Sequence, residues 1–333
     1  MRRFFLATIP FLIILCSCTH YPVEETRFLM DTVVRIAIYD SNLNQDQIQN
    51  VIDETYQIMS DLESKVSAHV DTSDISKINR YAGVSSVSVS FETLDLIRQS
   101  INISDCTGGT FDVTIGAVKT LWNFEEPESQ IPNSKQIQQV LPLVNFRDMR
   151  VDGLRIFLKK KGMRLDLGGL AKGFIVDQAV HHLQKSGITS GIVDAGGDLR
   201  TFGNHPKNNF WKIAIQNPRP VGDVFYAILK TREKSIATSG DYERYFWKNG
   251  TRYHHLLDPQ TGYPARGCVS VTIVASNAML ADAYATAVFI MGAQKGMAWL
   301  EKTPNIEGLI IYEEEGQLVH QISKGLINDI EIL

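Results

Sequence analysis

The chain has 333 residues, 44% of them hydrophobic and 21% charged, with a formal net charge of −4. These proportions suit a globular protein with a full apolar core and exclude a disordered chain. The absence of a basic tract argues against nucleic acid as a partner, and no Pro/Ser/Gly-rich linker divides the chain, so one catalytic unit is expected.

At the start, Arg2 and Arg3 precede the apolar run FFLATIPFLIIL and then CSCTHYP. These are the charged, apolar and small-residue zones of an export signal, in a run too short to span a bilayer comfortably. Leu15-Cys16-Ser17-Cys18 looks like a bacterial lipobox in which the Cys18 thiol receives lipid; Cys16 fits worse, because bulky Leu15 precedes it. The organisation expected is a signal peptide over 1–17, a lipid-anchored tether over 18–27 and a catalytic domain over 28–333. A plain cleaved signal with incidental cysteines is the alternative. Cleavage before Cys18 removes two arginines and takes the charge from −4 to −6. Cys106 and Cys268 form no CxxC or Cys/His pattern; they either pair or stay as buried thiols.

Along the chain, RFLMDTVVRIAIYD alternates like a strand in its second half, with Val34, Ile36 and Ile38 on one side. Ile48, Val51, Ile52, Met59, Leu62 and Val66 recur at helical spacing, and a second helix is expected over FETLDLIRQSINISDCTG, ended by Gly108-Gly109. Residues 125–160, from EEPESQIPNSKQ to LRIFLKKKG, read as a surface excursion. A helix from about Ala171 to Lys185, closed by Gly187, follows the Gly-Gly turn of LDLGGLAKG. Strands are expected over GIVDAGGDLRTFG, FWKIAIQNP, VFYAILKT and SVTIVA, a small-residue helix over AMLADAYATAVFIMG, and a hairpin over EGLIIYEEEGQLVHQIS. SIATSGDYERYF reads as a polar turn. Strands and helices mix without strict alternation, which predicts an α+β fold with mixed or antiparallel sheets and packed helices.

Three stretches carry chemistry. YERYFWKNGTRYHHLLD reads as a hairpin with Asn249-Gly250 at its turn. Alternation puts His255 with Tyr253 and Leu257 and His254 opposite, so the two histidines do not share a metal. On residue type alone the expectation is a solvated His254 and a packed His255, with DPQTGYP a turn built on Asp258, Pro259 and Gly262. In LDLGGLAKG, two glycines, a helix start and Lys172 suit a phosphate cradle, although the Walker spacing is absent; tight helix-on-sheet packing explains the same residues. In MLADAYATA, Asp282 and Thr286 lie one helical turn apart and offer hard oxygen donors that suit Mg²⁺, or else a surface carboxylate beside a back-bonded threonine.

Together FDVTIGAVKTLWNF, LDLGGLAKGFIVD, VDAGGDL, SIATSGDYE, HHLLDPQTGYP and SVTIVASNAMLADAYATA, in that order, resemble the ApbE family of flavin transferases, which move FMN from FAD onto proteins. The resemblance runs from about Arg27 to the end. It implies Mg²⁺ on Asp282, Thr286 and the backbone oxygen of Gly169. It also implies FAD contacts from Met30, His69, Thr110, Phe111, Asp112, Asp166, Lys172 and Leu257, and a catalytic His255 assisted by Asp282. The implied acceptor is a separate envelope protein with a Thr-containing motif, such as a subunit of Na⁺-translocating NADH:quinone reductase. The implied location is the bacterial cell envelope, lipid-anchored to the inner membrane and facing the periplasm. Val113 and Ala117 stand where many relatives have proline, and Ala285 where some have an acid. Two further readings keep the same residues: a Mg²⁺-dependent FAD pyrophosphatase releasing FMN and AMP, and a non-catalytic FAD-binding lipoprotein.

Overall fold

Two strands, β1 (Val23–Leu29) and β2 (Thr32–Ser41), pair as a hairpin at the start of the computed structural model, which describes residues 22–122, 124, 130–219 and 225–333. The signal peptide and Cys18 lie outside the described residues. The tether expected over 18–27 is shortened, because Val23 to Arg27 pair with Ile38 to Val34. Along VEETRFL, half-buried Val23, Glu25, Arg27 and Leu29 alternate with exposed Glu24, Thr26 and Phe28, the two faces of an edge strand that four consecutive polar residues hide in the sequence. Met30 and Asp31 turn the hairpin with φ of 55° and 54°, the left-handed geometry of a tight hairpin turn made here without glycine.

The helix α1 (Gln45–Val66) opens on a capping box between Asn44 and Gln47 and buries Ile48, Ile52, Met59, Leu62 and Val66, the stripe expected from its spacing. After α2 (Asp74–Arg80) and β3 (Val87–Ser88), α3 (Phe91–Cys106) ends in Gly108 and Gly109, both at positive φ. Next come α4 (Gly116–Lys119), α5 (Ser134–Val140), β4 (Met149–Asp152) and β5 (Arg155–Leu158). The surface excursion expected over 125–160 is corrected here. Ile137, Phe146, Ile156 and Leu158 are buried, and the strands form a small sheet in the order β3-β5-β4. Elements this short show too few repeats for periodicity to betray them.

The helix α6 spans Ala171–Lys185, as expected, followed by β6 (Ile188–Ala195), β7 (Asp198–Phe202), β8 (Trp211–Gln216) and β9 (Phe225–Thr231). Then β10 (Ser235–Gly240) occupies SIATSG, which had read as a turn. Its neighbours absorb its polarity: Thr238 and Thr272 hydroxyls lie 2.8 Å apart across the sheet. A hairpin of β11 (Tyr245–Lys248) and β12 (Thr251–His254) turns at Asn249-Gly250, with φ of 51° and 74°. The chain closes with β13 (Ser270–Ala275), α7 (Ala278–Met291), α8 (Ala293–Leu300), β14 (Glu307–Glu314), β15 (Gln317–Ile322) and β16 (Ile330–Ile332).

The fold is α+β. Its main sheet runs β1-β2-β6-β7-β10-β13-β14-β15, antiparallel throughout among the described residues. On it α6 packs beside α7, α1 and β6, while α7 covers β10 and β13. Close approach of α6 and α7 depends on Gly173, where a Cβ would stand 2.2 Å from the Ala278 carbonyl oxygen. Alanines 281, 283, 285 and 287 are fully buried on α7 and let it sit deep in the core. These contacts bring the start of α6, the middle of α7 and the end of β12 around one space.

Candidate active site

That space is a cavity of about 490 Å³, a size ordinary for a small-molecule site. Met30 enters from the β1–β2 turn, His69 from just after α1, and Thr110, Phe111 and Asp112 from the loop after α3. Asp166, Gly169 and Lys172 enter around the start of α6, His255 and Leu257 after β12, and Asp282 and Thr286 from α7. All the residues expected from the sequence, apart from Cys18, therefore line one wall or another of the same cavity.

Around Lys172 the electrostatics are tight. Its ammonium sits 2.5 Å from Asp198. Burial opposes its charge most strongly, yet the Asp198 and Asp282 carboxylates prevail and raise its pKa. Asp282 is buried and accepts from the Gly173 N–H at 3.2 Å. Desolvation, with Asp198 adding repulsion, pushes its carboxyl well above the usual carboxylate range against the pull of Lys172. Glu243, a further cavity residue, is likewise raised, first by burial. Asp282 thus has reason to accept a cation, which would let it ionise. The Thr286 hydroxyl is 3.3 Å from Ser239. Gly169 is close to it: a Cβ built there would stand 3.4 Å from that hydroxyl and 3.2 Å from the Phe111 ring. One carboxylate, one hydroxyl and the Gly169 backbone make a sparse set of hard donors. Among the described residues no cluster of three acidic, His or Cys side chains forms a protein-only cage. Such a set fits Mg²⁺, which keeps water and phosphate oxygens in its shell.

His254 reverses the expectation drawn from residue type, and His255 is half-buried at the cavity wall. His254 is 1% exposed, edge-on to Phe289, with Nε2 at 3.0 Å from the Ala265 carbonyl. His255 lines the cavity. The strand ends at His254, so the alternation that put Leu257 beside His255 stops applying; Leu257 reaches the cavity through a bridge to Pro264 instead. His255 Nδ1 lies 3.3 Å from the Arg244 carbonyl, and its backbone N–H donates to that same oxygen at 3.0 Å. A carbonyl only accepts, so the ring proton belongs on Nδ1 and the lone pair on Nε2. Burial, then the nearby Lys119 charge, pulls the imidazole down to about 3 and keeps it neutral.

Two other carboxylates play different parts. Asp166 holds Lys119 at 2.6 Å and accepts from Gly168 N–H at 2.8 Å; burial pushes its pKa upward, but these partners outweigh it and the net shift is down. Asp112 borders the cavity, yet its carboxylate accepts from Thr114 N–H, the Thr114 hydroxyl and Phe146 N–H at 2.8, 2.6 and 2.9 Å. Its side chain therefore clamps two loops together. Cys106 and Cys268 do not pair: the first is exposed and the second buried, both as free thiols.

The ApbE family pattern matches residues 30–310, which includes every cavity residue described above. The chain belongs to the ApbE family. An FAD:protein FMN transferase of Treponema pallidum is 29% identical over 326 residues, spanning 93% of this chain and 89% of the relative. One from Vibrio cholerae is 29% identical over 299 residues, 89% and 87% of the two chains. The crystal structure of the ApbE protein from Thermotoga maritima superposes with a TM-score of 0.84 at 33% identity, covering 92% of this chain and 98% of that one. The flavin transferase ApbE from Vibrio cholerae gives 0.83 at 27% identity, covering 93% and 99%.

Sequence reasoning missed several residues that shape this site. Lys119, Asp198 and Glu243 lie inside FDVTIGAVKTLWNF, VDAGGDL and SIATSGDYE, the very segments that carry the resemblance, yet no role was drawn for them. Asp177 on α6 accepts from the first amides of α7, Ala278 N–H at 2.9 Å and Met279 N–H at 3.0 Å, and also pairs with Arg200 at 2.5 Å. It locks the helix that carries Asp282. A carboxylate within IVDQAV, on an otherwise apolar helix face, was the available signal.

Proposed function

We propose that this chain is a flavin transferase that moves FMN from FAD onto a threonine hydroxyl of a separate envelope protein and releases AMP. The observation that supports this most is the gathering of residues from six separated segments around one cavity, with a neutral imidazole, a buried carboxylate and a lysine among its walls. The hydroxyl oxygen attacks the phosphorus on the FMN side; the pyrophosphate bond breaks and AMP leaves with the bridging oxygen. His255 Nε2 accepts the hydroxyl proton. Its neutral form is the one needed, and its Nδ1 contact with Arg244 aims the ring. Lys172 and the start of α6, whose N-cap residue Leu170 makes no side-chain cap, face the phosphates, and Phe111 and Leu257 supply apolar wall. Asp282, Thr286 and the Gly169 carbonyl would hold Mg²⁺, which when bound neutralises charge on the pyrophosphate oxygens.

The Cys18 lipid would tether the chain at the periplasmic face of the inner membrane, within reach of an acceptor such as a subunit of Na⁺-translocating NADH:quinone reductase. The test is incubation with FAD and Mg²⁺, with and without that subunit, followed by chromatography of the nucleotides. AMP release that depends on the acceptor supports transfer. Equal FMN and AMP without acceptor would identify a pyrophosphatase, and intact FAD throughout would leave a binding protein.

A further inference from the structure

Where the His255 ring sits depends on one carbonyl. Arg244 O accepts the His255 backbone N–H at 3.0 Å and lies 3.3 Å from its Nδ1, so a shift of that oxygen moves the ring and the proton on it. Arg244 ends a short link between two ladders: β10 stops at Gly240, and β11 starts at Tyr245, opposite His254. The first residue of that link, Asp241, is its anchor.

Asp241 is 8% exposed, and its backbone N–H donates to the Val269 carbonyl at 3.0 Å. Its carboxylate accepts three guanidinium bonds at 2.7 Å each: Arg219 Nη1 to Oδ1, Arg219 Nη2 to Oδ2, and Arg252 Nη1 to Oδ1. Arg219 follows β8 of the small sheet, whereas Arg252 lies on β12, just upstream of His255. One carboxylate therefore ties the strand that leads to the imidazole to the link that carries the imidazole's hydrogen-bond acceptor. A two-point Arg–carboxylate contact fixes orientation as well as distance. The rings of Tyr245 and Trp247 hold the Arg252 guanidinium further, with centres 4.5 and 5.0 Å from it. Asp241, Arg219 and Arg252 all lie outside the lining of the reaction cavity, so none of them touches the reacting atoms.

We propose that Asp241 is a positioning residue for His255: through Arg219 and Arg252 it sets the Arg244 carbonyl, which keeps the ring proton on Nδ1 and leaves the Nε2 lone pair for the incoming hydroxyl. The role of Nε2 rests on the transferase reading above; the tautomer does not. Asparagine at position 241 keeps the shape and removes the charge, and its amide N–H groups oppose the guanidinium donors, so the two-point contact is lost. The link then shifts. Of the two His255 contacts with the Arg244 carbonyl, the Nδ1 contact is the longer and is the first to break.

The experiment is nitrogen-15 NMR of the histidine-labelled chain at neutral pH, in wild type and Asp241→Asn, with the His255 signals assigned by their loss in His255→Ala. The expected result is the Nδ1–H tautomer alone in wild type and a mixture with the Nε2–H form in Asp241→Asn. A mixture in wild type, or Nδ1–H alone in the variant, overturns the proposal. Arg219→Gln removes the two-point partner and should shift the tautomer the same way; it decides the question if circular dichroism shows that Asp241→Asn does not fold. Transfer with FAD, Mg²⁺ and a purified acceptor subunit of Na⁺-translocating NADH:quinone reductase supplies the second readout. Asp241→Asn should lower kcat about tenfold or more with FAD affinity within about twofold, and should cost less than about twofold when His255 is already alanine. An equal loss in both backgrounds makes Asp241 a general structural residue and overturns the proposal. If the wild type transfers nothing, the transferase reading falls, and the tautomer alone decides the part played by Asp241.

Discussion

Replacing Gly173 by alanine tests how the fold builds the site. Gly173 lies in the first turn of α6 against the start of α7, where a new methyl would stand 2.2 Å from Ala278 O, 2.5 Å from Ala278 C and 2.7 Å from Met279 N. Ordinary contact distance is about 3.5 Å, so the two helices must part by on the order of 1 Å. The obstacle is backbone, anchored through Asp177, and cannot swing aside as a side chain would. Overpacking of this kind costs about 3 kcal/mol, the upper part of the usual range, which corresponds to roughly 4 to 8 °C in Tm for a chain of this size. The same displacement disturbs the Gly173 N–H to Asp282 bond and the neighbouring Lys172, so FAD affinity should fall at least tenfold. Differential scanning calorimetry and flavin fluorescence titration measure the two effects. Gly316→Ala is the control: its methyl meets nothing within 4 Å, and only its φ of +78° is strained, at about 1 kcal/mol. If Gly173→Ala melts and binds FAD like wild type, the close packing of α6 on α7 is not what shapes the site.

Three further outcomes follow from the same geometry. His255→Ala should keep FAD affinity within about threefold while transfer falls by roughly 10² or more, as for loss of a general base; unchanged transfer removes His255 from the mechanism. Asp282→Asn should raise the Tm of the ligand-free chain, because a buried carboxyl held above its usual range must take up a proton on folding and an amide need not, while cutting Mg²⁺-dependent transfer by about 10²; a lower Tm contradicts the burial argument. For pH, burial holds His254 at about 4 and His255 at about 3. The unfolded chain takes these protons below about 6.5 and the folded chain does not, so stability falls as pH drops from about 6.5 toward 4, by about 1.4 kcal/mol per unit for each imidazole. Urea midpoints between pH 7 and 5 check this, and His254→Asn should remove its share of the slope; an unaltered slope would refute it.

The phosphate cradle and the Asp282–Thr286 pair were legible because their chemistry is concentrated in short segments, whereas Met30, His69, Thr110, Phe111, Asp112, Asp166 and Leu257 came only with the family resemblance. Asp282 and Thr286 are one helical turn apart in any helix, and LDLGGLAKG announces a helix start that something must approach closely. The helices α1, α3, α6 and α7 showed in their apolar spacing. What stayed hidden depends on partners distant in sequence. The strand β10 looks like a turn until Thr272 and its neighbours satisfy its hydroxyls, and β1 looks like a tether until β2 pairs with it. His254 is buried rather than solvated, and β12 ends between it and His255, a boundary set by the loop folding back through Ala265 and Pro264. The Asp177 clamp on α7 spans about a hundred residues, beyond any local pattern.

The most direct measurement is mass spectrometry of an acceptor subunit after incubation with the chain, FAD and Mg²⁺. The account predicts a mass gain of one FMN unit on a threonine, matched mole for mole by AMP and lost in the His255→Ala enzyme. An unmodified acceptor alongside free FMN would contradict it.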